Sequence, residues 1–116
     1  MVLAFKNQFV QPILEGTKIH TIREDKFNRW KPGYLINMAT GVRTPNYKEF
    51  KKCVCVSTQE IEFTIDSCII IDNRTLYWND LLRLSFNDGF ETFDDFYDFF
   101  ELPFKGKIIH WTSFKY

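Results

Sequence analysis

The sequence lacks the long apolar run that a membrane-spanning helix requires, because no stretch of eighteen apolar residues occurs in it. The segment from Met1 to Lys6 also lacks the apolar stretch and the small-residue cleavage pattern of a secretory signal peptide. We therefore expect a protein that does not interact with membranes, and the expected location is the cytoplasm.

Cysteine and histidine are scarce. The three cysteines, Cys53, Cys55 and Cys68, are odd in number, and the C-x-C spacing places the first two on one face of a strand. A zinc site normally needs four ligands with C-x-x-C spacing, and His20 and His110 lie far from the cysteines in sequence. We expect buried thiols in a reducing compartment, no metal ion and no cofactor.

The sequence also lacks a net charge, since 15 basic residues balance 15 acidic ones. There is thus no global electrostatic argument for a nucleic-acid partner. The distribution is uneven: residues 1–60 carry ten Lys or Arg and five Asp or Glu, and residues 61–116 carry the reverse. Two interpretations stay open, a basic face that meets phosphate or ordinary surface charges that folding interleaves.

Aromatic residues are abundant, at 18% of the chain with thirteen Phe, and hydrophobic residues make up 45%. This composition predicts one domain over residues 1–116 with a core of large flat side chains. Strands are predicted at residues 2–5, 18–23, 34–39, 68–71 and 108–112, and residues 51–64 form one long bent strand or two short ones. Helices are predicted at residues 8–15, ended by Gly16, from Trp78 to Asp88, capped by Asn79 or Asp80, and after Thr92, which caps the last one. With a turn at residues 104–107, this order predicts an α+β fold whose curved sheet nearly closes.

The densest polar cluster within a patterned segment is residues 16–23, Gly-Thr-Lys-Ile-His-Thr-Ile-Arg. In a strand, Thr21 and Arg23 share one face, and Lys18 at the start of the strand can reach over it. An ammonium, a hydroxyl and a guanidinium close together bind a phosphate or a polarised carbonyl. The alternative is a solvated edge strand with a mixed face.

Five further side chains have two interpretations each. His20 and His110 are expected to be packed and hydrogen-bonded rather than catalytic. Asp88 either lines a site or serves only the Asp-Gly turn that it forms with the following glycine. Trp30 and Trp111 either stack on a ligand base or pack on the core. A sixth residue, Arg43, is the remaining candidate for a contact with a base.

Three segments resemble the ASCH domain family. Residues 13–23 match the pattern I-L-x-G-x-K-x-x-T-I-R, residues 30–34 are similar to the W-x-x-G-D turn, and Asp88-Gly89-Phe90 resembles an acidic-Gly-Phe element. The resemblance covers nearly the whole chain. It implies a PUA-like β-barrel, curved or closed, with a short N-terminal helix, two later helices and a central cleft. It also implies a link to RNA or to modified nucleosides.

Within the wider family, small bacterial amidohydrolases that deacetylate acetylcytidine use a Lys, a Thr and a Glu. By motif position the resemblance implies that Lys18, Thr21 and Asp88 correspond to them, with Asp88 one methylene shorter. Two functions follow: recognition of RNA, a nucleoside or a nucleotide in a cleft lined by Lys18, Thr21 and Arg23, or hydrolysis of an N-acylated pyrimidine nucleoside. The expected ligand-binding residues are Arg23, Trp30, Arg43 and Trp111. An interaction domain without a nucleic-acid ligand is the remaining alternative.

Overall fold

The computed structural model describes residues 1–116 and contains eight strands and three α-helices. The strands are β1 (Val2–Ala4), β2 (His20–Arg23), β3 (Leu35–Thr40), β4 (Lys48–Val54), β5 (Ser57–Phe63), β6 (Ile69–Ile71), β7 (Arg74–Thr75) and β8 (Phe104–His110). The helices are α1 (Val10–Glu15), preceded by a 3₁₀ turn (Asn7–Phe9), α2 (Trp78–Asn87) and α3 (Phe93–Asp98). None of the three helices has the length and hydropathy to cross a membrane.

The strands form two sheets, which confirms the predicted α+β class. One sheet has the order β1-β3-β4, with β1 parallel to β3, and the other has the order β2-β8-β5-β6-β7 with antiparallel neighbours. The backbone pairings keep the two sheets separate and do not join them into one closed barrel. Strand β8 lies between β2 and β5, so its residues Ile108 and Ile109 are fully buried.

The chain passes from one sheet to the other at Cys55–Val56. The backbone of Cys55 exchanges hydrogen bonds with Gly33 and Tyr34, at 2.8 Å each, whereas the N–H of Val56 donates to the carbonyl of His110. Residues 51–64 are therefore two strands separated by a bend. The bend gives β4 and β5 different partners and folds the two sheets over a shared core.

The turn predicted at residues 104–107 is wrong, because these residues open β8. Gly106 pairs with Ile61 of β5, and a Cβ built on Gly106 would clash with the carbonyl oxygen of Arg23. The glycine thus serves close strand approach rather than a turn. Because a local glycine signal is the same in both cases, the sequence pattern placed this strand four residues too late.

Local sequence signals predicted two helix ends correctly and one incorrectly. Gly16 ends α1 in the left-handed conformation with φ +83°, and Thr92 caps α3 by accepting a hydrogen bond from the N–H of Asp95 at 3.1 Å, so both predictions are confirmed. The cap predicted for α2 is wrong. Its N-cap residue is Tyr77, which makes no side-chain capping bond.

The aromatic core forms where α3 packs against β5. The rings of Phe63 and Phe100 have centroids 4.6 Å apart, and Phe96 contacts both. Phe63 and Phe96 are fully buried, and burial of one such side chain contributes about 2 kcal/mol. This cluster holds α3 on the sheet and closes one side of the cavity described below.

The prediction of buried thiols holds for one cysteine only. Cys55 is buried, Cys53 is half-buried and Cys68 is exposed, and all three are free. Burial raises the pKa of Cys53 and of Cys55, so both thiols stay protonated and pack as small apolar groups. The prediction is wrong for Cys68, which precedes β6 in an exposed turn.

Candidate functional site

A cavity of about 200 Å³ lies between β1, β2 and the segments that flank α3. Its wall combines four polar side chains of the predicted site with five phenylalanines. The lining residues are Ala4, Phe5, Lys6, Phe9, Lys18, Thr21, Ile22, Arg23, Asp88, Phe90, Phe99 and Phe100. Three larger grooves, of about 480, 540 and 600 Å³, are more open to solvent. The smaller cavity is the one in which aromatic walls surround a few convergent polar groups, as in ligand pockets generally.

The end of α1 delivers Lys18 to this cavity. After Gly16 reverses the chain, the N–H groups of Thr17 and Lys18 both donate to the carbonyl of Pro12 at 3.0 Å. The next N–H, that of Ile19, donates to the carbonyl of Asn87 at 2.9 Å, which ties this segment to the end of α2. Lys18 is thereby fixed between two helices, and only 2% of it is exposed.

The buried ammonium of Lys18 has two oxygen acceptors on one residue. Its Nζ donates to the carbonyl oxygen of Asp88 at 2.7 Å and to Oδ1 of the same residue at 3.0 Å. It also lies over the ring of Phe9, 4.7 Å from the centroid. Burial lowers the pKa of Lys18, the Asp88 carboxylate opposes this effect, and the positive charge of Arg23 adds to it.

The structure combines the two interpretations of Asp88 that the sequence left open, because this residue forms an Asp-Gly turn with Gly89 and also lines the cavity. Asp88 is the C-cap of α2, and Gly89 follows with φ +91° so that the N–H of Phe90 can return to the carbonyl of Ser85. A Cβ on Gly89 would lie 3.0 Å from Cδ of Lys18. The turn therefore aims the Asp88 carboxylate at the cavity and leaves room for the lysine stem.

Thr21 and Arg23 lie side by side on β2, as their alternation predicted. Nε of Arg23 donates to Oγ1 of Thr21 at 3.2 Å, so the hydroxyl hydrogen of Thr21 remains available as a donor. The guanidinium lies 4.8 Å from the centroid of Phe5 and also donates to the carbonyl of Ala4. Burial lowers the pKa of Arg23, yet a guanidinium keeps its charge in proteins.

His20 immediately precedes Thr21 on β2 and contacts Asp88. Its Nδ1 lies 3.2 Å from Oδ1 of Asp88, and its Nε2 lies 2.5 Å from the hydroxyl of Tyr116. The ring is fully buried, and burial is the main cause that lowers the pKa of His20. It is packed and hydrogen-bonded, as the sequence indicated. Sequence analysis missed Tyr116, because no local pattern signals a partner 96 residues away.

The three expected base-contacting residues lie outside the cavity. Trp30 is buried in the hydrophobic core, and its backbone N–H donates to Asp25. Arg43 is exposed in the loop between β3 and β4, at φ +65°. Trp111 is half-buried and meets the cavity only indirectly, through an edge contact with Phe5 at 6.3 Å. The aromatic wall is made of phenylalanines instead.

Folding interleaves the two oppositely charged halves of the sequence. On the five-stranded sheet, Glu60 is opposite Lys107 and Glu62 is opposite Lys105. The open groove of about 480 Å³ on this side mixes acidic and basic side chains in the same way. This arrangement favours ordinary interleaved charge over a separate basic face.

Comparison with protein-family models, with curated proteins and with solved structures finds no match to this chain. The geometry of the cavity is therefore the basis for a functional assignment.

Proposed function

We propose that the cavity is the recognition site of an ASCH-like domain and binds one nucleobase, carried by a nucleoside, a nucleotide or an RNA end. The observation that carries this proposal is the convergence of Lys18, Thr21, Arg23 and Asp88 within one phenylalanine-lined cavity. The first three belong to the motif that resembles the ASCH signature, and Asp88 belongs to a second resembling element 65 to 70 residues later in the chain.

The chemistry of the wall suits a pyrimidine. Phenylalanine rings stack on any base, which contributes about 1–3 kcal/mol per base. Lys18, Arg23 and the Thr21 hydroxyl are donors for a ring nitrogen and a carbonyl oxygen, while the Asp88 carboxylate accepts from an amino group. A base that presents an amino group beside these acceptors, as cytosine does, matches the set. The small volume, about 200 Å³, favours one base rather than a stretch of RNA.

The interleaved surface charge supports the same ligand size. Long electrostatic tracking of RNA needs a continuous basic surface, and on the five-stranded sheet the exposed Lys105 lies opposite the acidic Glu62, while Lys107 is buried. The proposal includes a PUA-like arrangement, supported by the element order and by two sheets folded over one core at Cys55–Val56. It also includes a cytoplasmic location, since free cysteines are typical of reducing compartments.

The contact between Lys18 and Asp88 favours a second candidate, hydrolysis of an N-acylated pyrimidine nucleoside. In this mechanism Thr21 Oγ1 attacks the amide carbonyl carbon and its proton passes to neutral Lys18. Arg23 stabilises the oxyanion, and the protonated lysine, oriented by Asp88, returns the proton to the leaving amine. Water then hydrolyses the Thr21 ester and releases the acid. Burial and the Arg23 charge favour the neutral amine that the first step requires.

Calorimetric titration with cytidine, cytidine monophosphate, acetylcytidine and a short cytidine-ended RNA tests the binding proposal. Replacement of Lys18 by Met removes a charged donor and is expected to weaken binding about tenfold or more. Lys107→Met is the matched control, because Lys107 is also a buried lysine paired with a carboxylate, Asp25 at 3.3 Å, but lies outside the cavity. Equal affinities of both variants, or no binding by the wild type, would contradict the proposal.

Chromatographic detection of cytidine and acetate from acetylcytidine tests the second candidate. Thr21→Val keeps the shape of the side chain and removes the nucleophile, so turnover is expected to vanish, while binding, which loses one neutral donor, is expected to weaken less than in Lys18→Met. Thr58→Val is its control, since Thr58 lies on β5 away from the cavity lining. Binding without turnover in the wild type leaves recognition as the function.

A further inference from the structure

Tyr116 is held in place by an amide clamp on β5. The backbone N–H of Tyr116 donates to Oε1 of Gln59, and Nε2 of Gln59 donates to the Tyr116 carbonyl, both at 2.9 Å. Gln59 is itself fixed, because its Nε2 also donates to Asp72 and its Oε1 accepts from Nε2 of His110 at 3.0 Å. The clamp fixes the position from which the Tyr116 hydroxyl enters the core beside His20.

Tyr116, His20 and Asp88 form a chain of hydrogen bonds, and only one assignment of donors and acceptors fits this chain. An ionised carboxylate only accepts, so Nδ1 of His20 carries the hydrogen and donates to Asp88. Nε2 then has a lone pair and accepts from the Tyr116 hydroxyl, whose oxygen accepts from the Asn87 amide at 3.2 Å. Both ring nitrogens of His20 and the Tyr116 hydroxyl therefore have a partner. The chain ends on Oδ1, the oxygen that Lys18 also uses.

We propose that Tyr116 and His20 are positioning residues that fix the Asp88 carboxylate and set the protonation of Lys18 in the cavity. Two donors share Oδ1, at 3.0 Å from Lys18 and 3.2 Å from His20. Each donor takes part of the carboxylate charge, so the bond from His20 weakens the hold of Asp88 on the ammonium. The inference rests on the proposed function and deepens it. Lys18 must be protonated to donate to a bound base as an ammonium, whereas it must be neutral to act as a general base.

The surroundings of His20 keep the ring neutral. The ring of His110 on β8 lies edge-on with centroids 5.3 Å apart, and the ring of Tyr116 lies 5.4 Å away. Lys18 and Asp88 are the charged groups that face it from the start of β2 and the end of α2. Burial lowers the pKa of His20 and raises that of Tyr116, so one ring stays unprotonated and one hydroxyl stays protonated.

Nuclear magnetic resonance of the ligand-free protein tests this chain directly. Ring ¹⁵N shifts are expected to show His20 as the Nδ1–H tautomer in the wild type and in Tyr116→Phe, with the resonance of the unprotonated Nε2 displaced in the variant because it loses the hydrogen bond from the Tyr116 hydroxyl. Tyr97→Phe is the matched control, because the buried Tyr97 hydroxyl has no hydrogen-bond partner to lose. A wild-type Nε2–H tautomer, or an unchanged Nε2 shift in Tyr116→Phe, would overturn the inference.

Titration of the ¹³Cε resonance of Lys18, assigned with Lys18→Arg, tests the effect on the cavity. His20→Leu removes the competing donor and is expected to raise the midpoint by roughly one pH unit. His20→Asn, whose amide can replace Nδ1–H, is expected to stay near the wild type, which a merely structural role does not predict. Equal Lys18 titration midpoints in His20→Leu and His20→Asn would refute the proposal. If His20→Leu does not fold, Tyr116→Phe replaces it in this titration. Because no ligand is used, this outcome is independent of the ligand-binding experiments.

Discussion

Lys18 and Asp88 lie 70 positions apart, yet the ammonium of the first donates to both the main-chain and the side-chain oxygen of the second. The contact joins the segment that leads into β2 to the C-cap of α2. It thereby brings the motif of residues 16–23 and the Asp-Gly-Phe element into one cavity. The pair is almost fully buried, at 2% and 5% side-chain exposure, so its stability and its protonation are coupled.

Removal of the Asp88 carboxylate is expected to destabilise the fold strongly. Asp88→Ala leaves a buried ammonium without its charged partner, which costs about 3 kcal/mol or more in the free energy of unfolding. Because burial lowers the pKa of Lys18 from its ordinary 10.5, the folded variant loses the proton at a lower pH than the unfolded chain, and the penalty should shrink as the pH rises toward 10.5. Urea unfolding at pH 7 and pH 10 measures both values. Asp98→Ala, on the exposed side of α3, should change stability by less than about 0.5 kcal/mol.

Gly89 and Gly33 have nearly equal φ angles, so alanine substitutions at these two positions distinguish backbone strain from a steric contact with Lys18. Gly89 has φ +91° and Gly33 has φ +93°, so alanine at either position pays a conformational cost of about 1 kcal/mol. Only at Gly89 does the new Cβ meet Lys18, 3.0 Å from its Cδ. Gly89→Ala should therefore destabilise more than Gly33→Ala and should alone weaken nucleoside binding. Equal losses of stability, with binding intact, would show that Lys18 adapts without cost.

The parts of the fold that depend on local chemistry were predictable from the sequence. Gly16 and Thr92 mark helix ends because a positive φ and a capping oxygen are properties of single residues. The shared face of Thr21 and Arg23 follows from strand alternation alone. The pattern indicated Lys18, Thr21 and Arg23 through this segment and Asp88 as a candidate at its Asp-Gly turn, and the resemblance linked the two elements, whereas Lys6 was not singled out.

The parts that depend on distant partners were not predictable. Gly106 has the same local signature in a strand as in a turn, and only the approach of the Arg23 carbonyl distinguishes the two. The local sequence around Trp30 and Trp111 does not distinguish a ring that stacks on a ligand from a ring that packs on the core. The packing of the sheets decides between these two roles. Tyr116 enters the site through the clamp of Gln59, which lies 57 positions away.

A second buried ion pair, Asp25–Lys107, is expected to support the fold without affecting the cavity. Burial tends to raise the pKa of Asp25, but the N–H groups of Trp30 and Arg29 and the ammonium of Lys107 outweigh it, so the pKa is lowered. This stabilisation is present above the unfolded value of 3.8 and is lost as the pH falls through the folded value. Asp25→Asn should cost about 2 kcal/mol at pH 7 by urea unfolding. Its nucleoside affinity should equal that of the wild type, and a weaker affinity would link this pair to the site.

His110 is expected to make the protein sensitive to mild acid. Burial, together with the nearby His20 and the charge of Lys115, lowers the pKa of His110 from 6.5 to about 3. Below pH 6.5 the unfolded chain therefore binds a proton that the folded chain does not, and stability falls by up to about 1.4 kcal/mol per pH unit until about pH 3. His110→Gln keeps an amide donor toward Gln59 but does not titrate. Urea unfolding between pH 7 and pH 4 should show a shallower decline for this variant, and parallel declines would place His110 among groups with an ordinary pKa.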